Sequence, residues 1–234
     1  MKVAVIIPAH NEAVRIGETV RAVAAVPGVT RVVVVDDGST DDTDRVAEVA
    51  GAKVVRRYGN RGKGTALEAG ASRVADADIV LLLDADLGES ASQASLLLAP
   101  VLAGDADMTI AGFPPAQGKA GFGLVKGLAH WGIARLAGGF DARAPLSGQR
   151  ALTRGCLATV RPFSAGYGAE VGLTVRALRA GFRLAEVPTT MAHAATGRDL
   201  KGFVHRGQQF VHVALALAVL ALQPAPARRS GDDL

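Results

Sequence analysis

Residues 81–87 read LLLDADL. A run this apolar is the material of a strand buried on both faces, and it ends in two aspartates one residue apart. A lone buried carboxylate is costly. Asp84 and Asp86 therefore stand either at an exit from the core or against something that neutralises them. The same construction appears twice upstream. Residues 2–7 form a continuous apolar run followed by PAHNE, and residues 30–35, with VVVV at their heart, are followed by DDGSTDD.

Between these runs the periodicity is helical. Helices are expected from Asn11 or Glu12 to about Ala25, over 41–50 behind a Ser39 or Thr40 cap, over 64–74 and over 91–102. Short strands are expected at 53–55, 79–83 and 108–110. Strands alternating with helices of this length predict an α/β fold, a mostly parallel sheet with helices on both faces. Ligands of such sheets bind at the carboxyl ends of the strands, where all three polar clusters fall. The second half is less regular. A Gly/Pro-rich loop at 112–121 precedes a helix over 122–136, a strand at 149–153, a helix at 168–179, a strand at 183–187 and a last helix from an Asp199 cap to about Leu222.

The chain has 234 residues and a net charge of +4, with one cysteine, Cys156, so no internal disulfide can form. The N-terminal apolar run stops at Pro8, too early for a signal peptide. A reducing, cytoplasmic setting is expected. Aromatic residues make up 4%, too few for base-stacking platforms, so no nucleic-acid partner is expected. The basic residues fall in short groups. Arg56, Arg57, Arg61 and Lys63, and later Arg198, Lys201 and Arg206, suit anionic ligands; Arg176, Arg179 and Arg183 suit a solvated face.

Alternation along an extended chain places Asp84 and Asp86 on one side. Two carboxylates there repel unless a cation joins them, and a hard divalent ion such as Mg²⁺ or Mn²⁺ fits, above all one that also holds phosphates. The plainer alternative is a strand-end turn whose aspartates cap the next helix. The turn at 36–43 can hold a ribose, a base or a phosphate at its helix N-terminus. NRGKGTAL, 60–67, adds glycines and Lys63, without the full phosphate-loop spacing.

PAHNE, DDGSTDDT, NRGKGTAL and DADL in this order resemble the nucleotide-sugar glycosyltransferases of the GT-A fold, the large family with polyprenyl-phosphate sugar transferases and glucosyl-3-phosphoglycerate synthases. The likeness covers roughly residues 2–206. It implies that Pro8, Ala9 and Glu12 line a nucleoside pocket, that Asp37 meets the base and Lys63 the base or diphosphate, and that Asp84 and Asp86 are the Asp-x-Asp pair, with Asp86 the direct metal ligand. PLSGQRALTR, 145–154, and GYGAEVGLTVRA, 166–177, resemble the acceptor-side segments, the second those of the phosphoglycerate synthases. There the resemblance makes Glu170 the holder of the donor sugar, His193 a metal ligand and Arg198 a neighbour of the diphosphate.

The expected organisation is one domain over 1–222, with a nucleotide-sugar half at 1–112, an acceptor half at 113–206, a C-terminal helix at 207–222 and a disordered tail at 223–234. The expected activity moves a sugar from UDP-glucose first, or GDP-mannose next, to an anionic small molecule such as a phosphoglycerate. A lipid-phosphate acceptor at a membrane surface is the alternative. A sugar-phosphate nucleotidyltransferase is disfavoured by PAHNE standing where that class carries a Gly-rich basic loop. A non-catalytic nucleotide-sugar-binding module is disfavoured by the intact aspartates. Catalytic roles fall to Asp86, Glu170, Lys63 and Arg198. An inverting reaction needs Glu170 as base; a retaining one needs it only to position the sugar. VALALAVLAL, 213–222, is too short to span a bilayer. It leaves open packing on the domain, a homodimer, or peripheral membrane contact.

Overall fold

The computed structural model describes residues 1–113, 123–164, 166–192 and 200–223, and the side chains of these except 167 and 200–206. Seven strands form one sheet: β1 (Val3–Ala9), β2 (Val29–Asp36), β3 (Lys53–Arg56), β4 (Ile79–Leu82), β5 (Met108–Gly112), β6 (Arg150–Thr153) and β7 (Leu184–Pro188), in the order β3-β2-β1-β4-β6-β5-β7. Every pairing is parallel except those of β6, which runs antiparallel between β4 and β5.

Alternation along β1 explains the sandwich. Val3, Val5 and Ile7 face one layer, against α1 (Ile16–Ala24) and α4 (Ala94–Leu102). Ala4 and Ile6 face the other, against α3 (Lys63–Ala71), α6 (Arg154–Val160) and α7 (Ala169–Arg179). Burying each large aliphatic side chain contributes about 1.5–3 kcal/mol, so a central strand apolar on both faces is favoured only in such a sandwich. Gly70 lets α3 come close: a Cβ there would stand 2.4 Å from Ile6 Cγ2. Beside the sheet, α5 (Gly123–Ala137) and α8 (Leu200–Leu222) pack with α7 around Val125, Ile133, Val175 and Leu217.

Most expected elements are present with ends moved by a few residues. The first helix starts at Ile16, because Asn11 takes left-handed backbone (φ 56°) and residues 10–15 form a loop. Ser39 and Thr40 do not cap α2 (Thr43–Val49). The Ser39 hydroxyl donates to Asp36 Oδ1 at 2.5 Å instead, and Thr40 bonds to Asn11. The front of the 91–102 helix is a 3₁₀ turn, Gly88–Gln93. Helix α6, capped by Thr153 accepting from the Cys156 N–H at 3.2 Å, was not anticipated. Asp199 lies outside the described residues. No helix among the described residues is long and apolar enough to cross a membrane.

The basic groups sort differently from expectation. Arg56 pairs with Asp44 and Glu48 on the surface, and Arg57 turns inward to Asp37. Arg179 is no mere solvated charge: it donates to the Leu136 and Leu220 carbonyls at the ends of α5 and α8. Free carbonyls at helix C-termini are natural guanidinium acceptors.

Candidate active site

Parallel pairing brings the ends of β1, β2 and β4 to one edge of the sheet, with Ala9 opposite Asp36. The loops after β1 and β2 are then joined. Thr40 N–H donates to Asn11 Oδ1 at 2.8 Å, Asn11 N–H to Ser39 Oγ at 2.9 Å, and Glu12 N–H to Thr43 Oγ1 at 2.8 Å. Asp41 accepts from Ala13 N–H at 3.2 Å. Pro8 and Ala9 close β1 directly beneath.

Asp37 is buried, and its carboxylate organises the next loop. Oδ2 accepts from the Arg61 and Gly62 N–H groups at 2.9 and 2.6 Å, and Oδ1 faces Arg57 Nη1 at 3.1 Å. Gly38 sits in the left-handed region (φ 80°), where a Cβ would come within 2.9 Å of the Gly59 backbone. The three loops are thus held as one floor.

Asp84 and Asp86 lie just past the end of β4, yet alternation persists: Leu83, Ala85 and Leu87 are buried while the two aspartates are half-buried between them. Lys63, first residue of α3, places Nζ 2.6 Å from Asp84 Oδ1 and 2.8 Å from Glu170 Oε1. Burial pulls this ammonium's pKa down, but Asp84 and Glu170 outweigh it and the net shift is upward. The Glu12 carboxyl is pushed up by burial, then by Asp86, Asp41 and Asp84. Glu12, Asp41 and Asp86 thus gather near the Lys63–Asp84 pair.

The antiparallel direction of β6 completes the site. Arg150 pairs with Leu82, so the residues just before β6 enter where β4 leaves. Gln149 Nε2 donates to Asp84 Oδ2 at 2.7 Å. A Cβ on Gly148 would stand 2.4 Å from Lys63 Nζ and 3.0–3.1 Å from the Asp84 oxygens. Arg150 is fully buried: Nε donates to the Ser147 carbonyl at 3.0 Å and Nη1 to Thr174 Oγ1 at 2.9 Å, while Thr174 donates to the Glu170 carbonyl at 3.0 Å. Nη2 has no hydrogen-bond partner. Burial draws the guanidinium down to about 10, against the pull of Glu170, so it stays charged at neutral pH. The roles of Gly148, Gln149 and Arg150 were not read from the sequence, because PLSGQR does not disclose that the following strand runs backwards between β4 and β5.

The site thus gathers Glu12, Lys63, Asp84 and Glu170, with Asp86 close enough to raise the Glu12 pKa. His193 and Arg198 lie outside the described residues. No group of three or more His, Cys, Asp or Glu among the described residues is arranged to hold a metal. A divalent ion bound chiefly through phosphates needs only one or two carboxylates. Both Asp84 oxygens are engaged by Lys63 and Gln149. The oxygen donors around Glu12 and Asp86 fit such an ion.

A seven-stranded, mostly parallel sheet with one reversed strand and a joined set of loops at its carboxyl edge is the GT-A arrangement. Residues 4–139 match the family model described as glycosyl transferase family 2, and the chain belongs to that family. It is 32% identical to the glycosyltransferase AglJ of Haloferax volcanii, over 84% of this chain and 65% of AglJ. It is 34% identical to glucosyl-3-phosphoglycerate synthase of Mycolicibacterium smegmatis, over 74% of this chain and 63% of that protein. The chain spans less than two thirds of the length of these relatives. Among solved structures, the glucosyl-3-phosphoglycerate synthase of Mycobacterium tuberculosis bound to Mn²⁺, UDP and glucosyl-3-phosphoglycerate overlays with a TM-score of 0.78 at 28% identity, covering 95% of this chain and 81% of that one. Its complex with Mn²⁺, UDP-glucose and phosphoglyceric acid gives 0.76 at 27%, covering 95% and 80%.

Proposed function

We propose that this protein transfers a glucosyl group from UDP-glucose to a phosphorylated small acid of the phosphoglycerate type, with Mg²⁺ or Mn²⁺. The observation that carries the reading is the Lys63–Asp84–Glu170 cluster, closed by Gln149, at the carboxyl edge of a sheet. The likeness of the whole chain to structures holding UDP-glucose, Mn²⁺ and phosphoglyceric acid supports the substrates.

In this reading Pro8, Ala9, Glu12 and Asp37 form the nucleoside end of the site. Asp37 acts mainly by fixing the 60–62 loop, since its oxygens already meet two N–H groups and Arg57. Lys63, held by two carboxylates, lies where a diphosphate is to be met, and a preorganised cation there stabilises charge on the departing group. Asp86, with Asp84 behind it and His193 from the later segment, would hold the metal, which when bound neutralises charge on the diphosphate. Arg198 adds a cation to the same end. The acceptor hydroxyl oxygen bonds to the anomeric carbon, the bond to the diphosphate breaks, and the hydroxyl proton passes to the departing diphosphate oxygen. Glu170 is ion-paired to Lys63 and holds the sugar, which favours a retaining reaction over one in which Glu170 serves as base.

A second acceptor is favoured by one observation. The outer face of α8 is apolar, which suits a lipid-phosphate acceptor at a membrane surface. Calorimetric titration of UDP-glucose and GDP-mannose, with Mn²⁺ and with chelator, on wild type and Asp86→Ala tests the donor. Metal-dependent binding of UDP-glucose that the variant loses supports the reading. An acceptor screen of 3-phosphoglycerate against polyprenyl phosphate, read by product mass, then separates the two acceptors. No binding of either donor by folded, metal-loaded protein overturns the transferase assignment.

A further inference from the structure

We propose that α5 and α8 form a docking face for an anionic lipid surface. Helix α8 turns Val213, Ala216, Leu217 and Leu220 inward, and Gly132 of α5 admits Leu217 so closely that a Cβ there would stand 2.4 Å from its methyl carbons. The outward side is not polar, as a solvated helix face should be. Val211, Leu215, Val219 and Leu222 are exposed along three turns, and α8 has no charged residue from 207 to 222. On α5, Leu124 and Trp131 are exposed as well, Trp131 at 62%. Exposed apolar side chains along two helices that pack together are the kind of surface that marks an interaction site.

Charge selects the occupant. Neither α5 nor α8 contains Asp or Glu, while α5 exposes Lys126 and Arg135 and the first two turns of α8 carry Lys201 and Arg206. Apolar residues with tryptophan, beside the exposed cations Lys126 and Arg135 and with Asp141 the acidic neighbour at the end of α5, are the composition of helices that lie in the interface of anionic bilayers. A second copy of the chain docked face to face would set like charges opposite one another, which opposes association. The face is also near the site: the inner side of α8 meets the turn Gly166–Gly168, with Ala216 Cβ 2.5 Å from a Cβ built on Gly168, two residues before Glu170.

This inference stands apart from donor and acceptor identity, and its test needs neither. Trp131 is the only tryptophan, so its emission reports on this face directly. Full-length protein is mixed with phosphatidylglycerol-containing vesicles and with pure phosphatidylcholine vesicles, followed by emission and by co-sedimentation. The expected result is a blue shift and pelleting with anionic vesicles, weakened by salt. A Leu215→Glu, Val219→Glu double variant should lower partitioning by about tenfold or more at an unchanged thermal melt, since both side chains are exposed. Unchanged emission and no pelleting at millimolar lipid overturn the proposal. So does a dimer that buries Trp131 without vesicles and that the double variant dissociates.

Discussion

Lys63 Nζ lies 2.6 Å from Asp84 Oδ1, and the same ammonium reaches Glu170 Oε1 at 2.8 Å. One cation from the start of α3 thus ties the Asp84–Asp86 turn to α7 in the second half of the chain. Lys63→Met leaves two carboxylates facing each other, one of them buried. Removing one member of a buried ion pair costs about 3–5 kcal/mol; with Lys63 a quarter exposed, about 2 kcal/mol is expected here. Chemical denaturation should show that loss, and donor binding by calorimetry should fall by about a hundredfold. Unchanged binding in the folded variant would remove Lys63 from the donor site.

Gly148→Ala probes the same cluster from the other side. The new methyl would meet Lys63 Nζ at 2.4 Å and the Asp84 oxygens at 3.0–3.1 Å. The lysine end is flexible and can swing away, so stability should fall by only about 1 kcal/mol. The ion pair would lengthen, and kcat/KM should fall at least tenfold, since an ångström of misplacement is costly in a preorganised site. A thermal melt beside steady-state kinetics separates the two effects.

The loops at the carboxyl edge of the sheet were legible in sequence because their polar residues follow strands. Apolar runs ending in PAHNE, DDGSTDD and DADL fixed both the sheet and the edge where polar residues gather. What escaped depends on contacts between distant segments. Ser39 looks like a helix cap, yet it is drawn off by Asp36 and Asn11, because the parallel β1–β2 register brings those loops together. Gln149 and Gly148 became site residues only because β6 enters the sheet antiparallel, and neither periodicity nor local propensity encodes strand direction. Helix α6 is seven residues long, too short for its period to stand out.

Arg150→Met tests whether a buried charge serves the site rather than the fold. The guanidinium is fully buried with one nitrogen lacking a partner, so its removal relieves a desolvated charge but strips buried acceptors of their donor, and a stability loss of about 1–3 kcal/mol is expected. It would also release the Ser147 carbonyl and Thr174, the two ends of a link between the Gly148–Gln149 turn and the Glu170 backbone. The expected result is a kcat lowered about tenfold with a smaller change in donor KM. A large loss of stability with unchanged kcat in the surviving protein would make Arg150 a structural residue alone.

Asp41 makes the joined loops after β1 and β2 sensitive to acid. Burial works to raise its carboxyl, but the Thr43 hydroxyl and the Ala13 and Thr43 N–H groups outweigh it, so its pKa is lower in the fold than in the unfolded chain. A carboxyl shifted down contributes stability above its unfolded value, near 3.9, and that contribution is lost as pH falls through the lower folded value. Melting temperature should therefore drop more steeply below pH 4 in wild type than in Asp41→Asn. At pH 7 the variant should melt roughly 2 °C lower, having lost a charge-assisted acceptor at a well-exposed site. Because Ala13 N–H follows Glu12 in the chain, UDP-glucose affinity at pH 7 should weaken in the variant while the sheet's circular dichroism stays unchanged; equal affinity would disconnect the Asp41 bond from the shape of the nucleoside end.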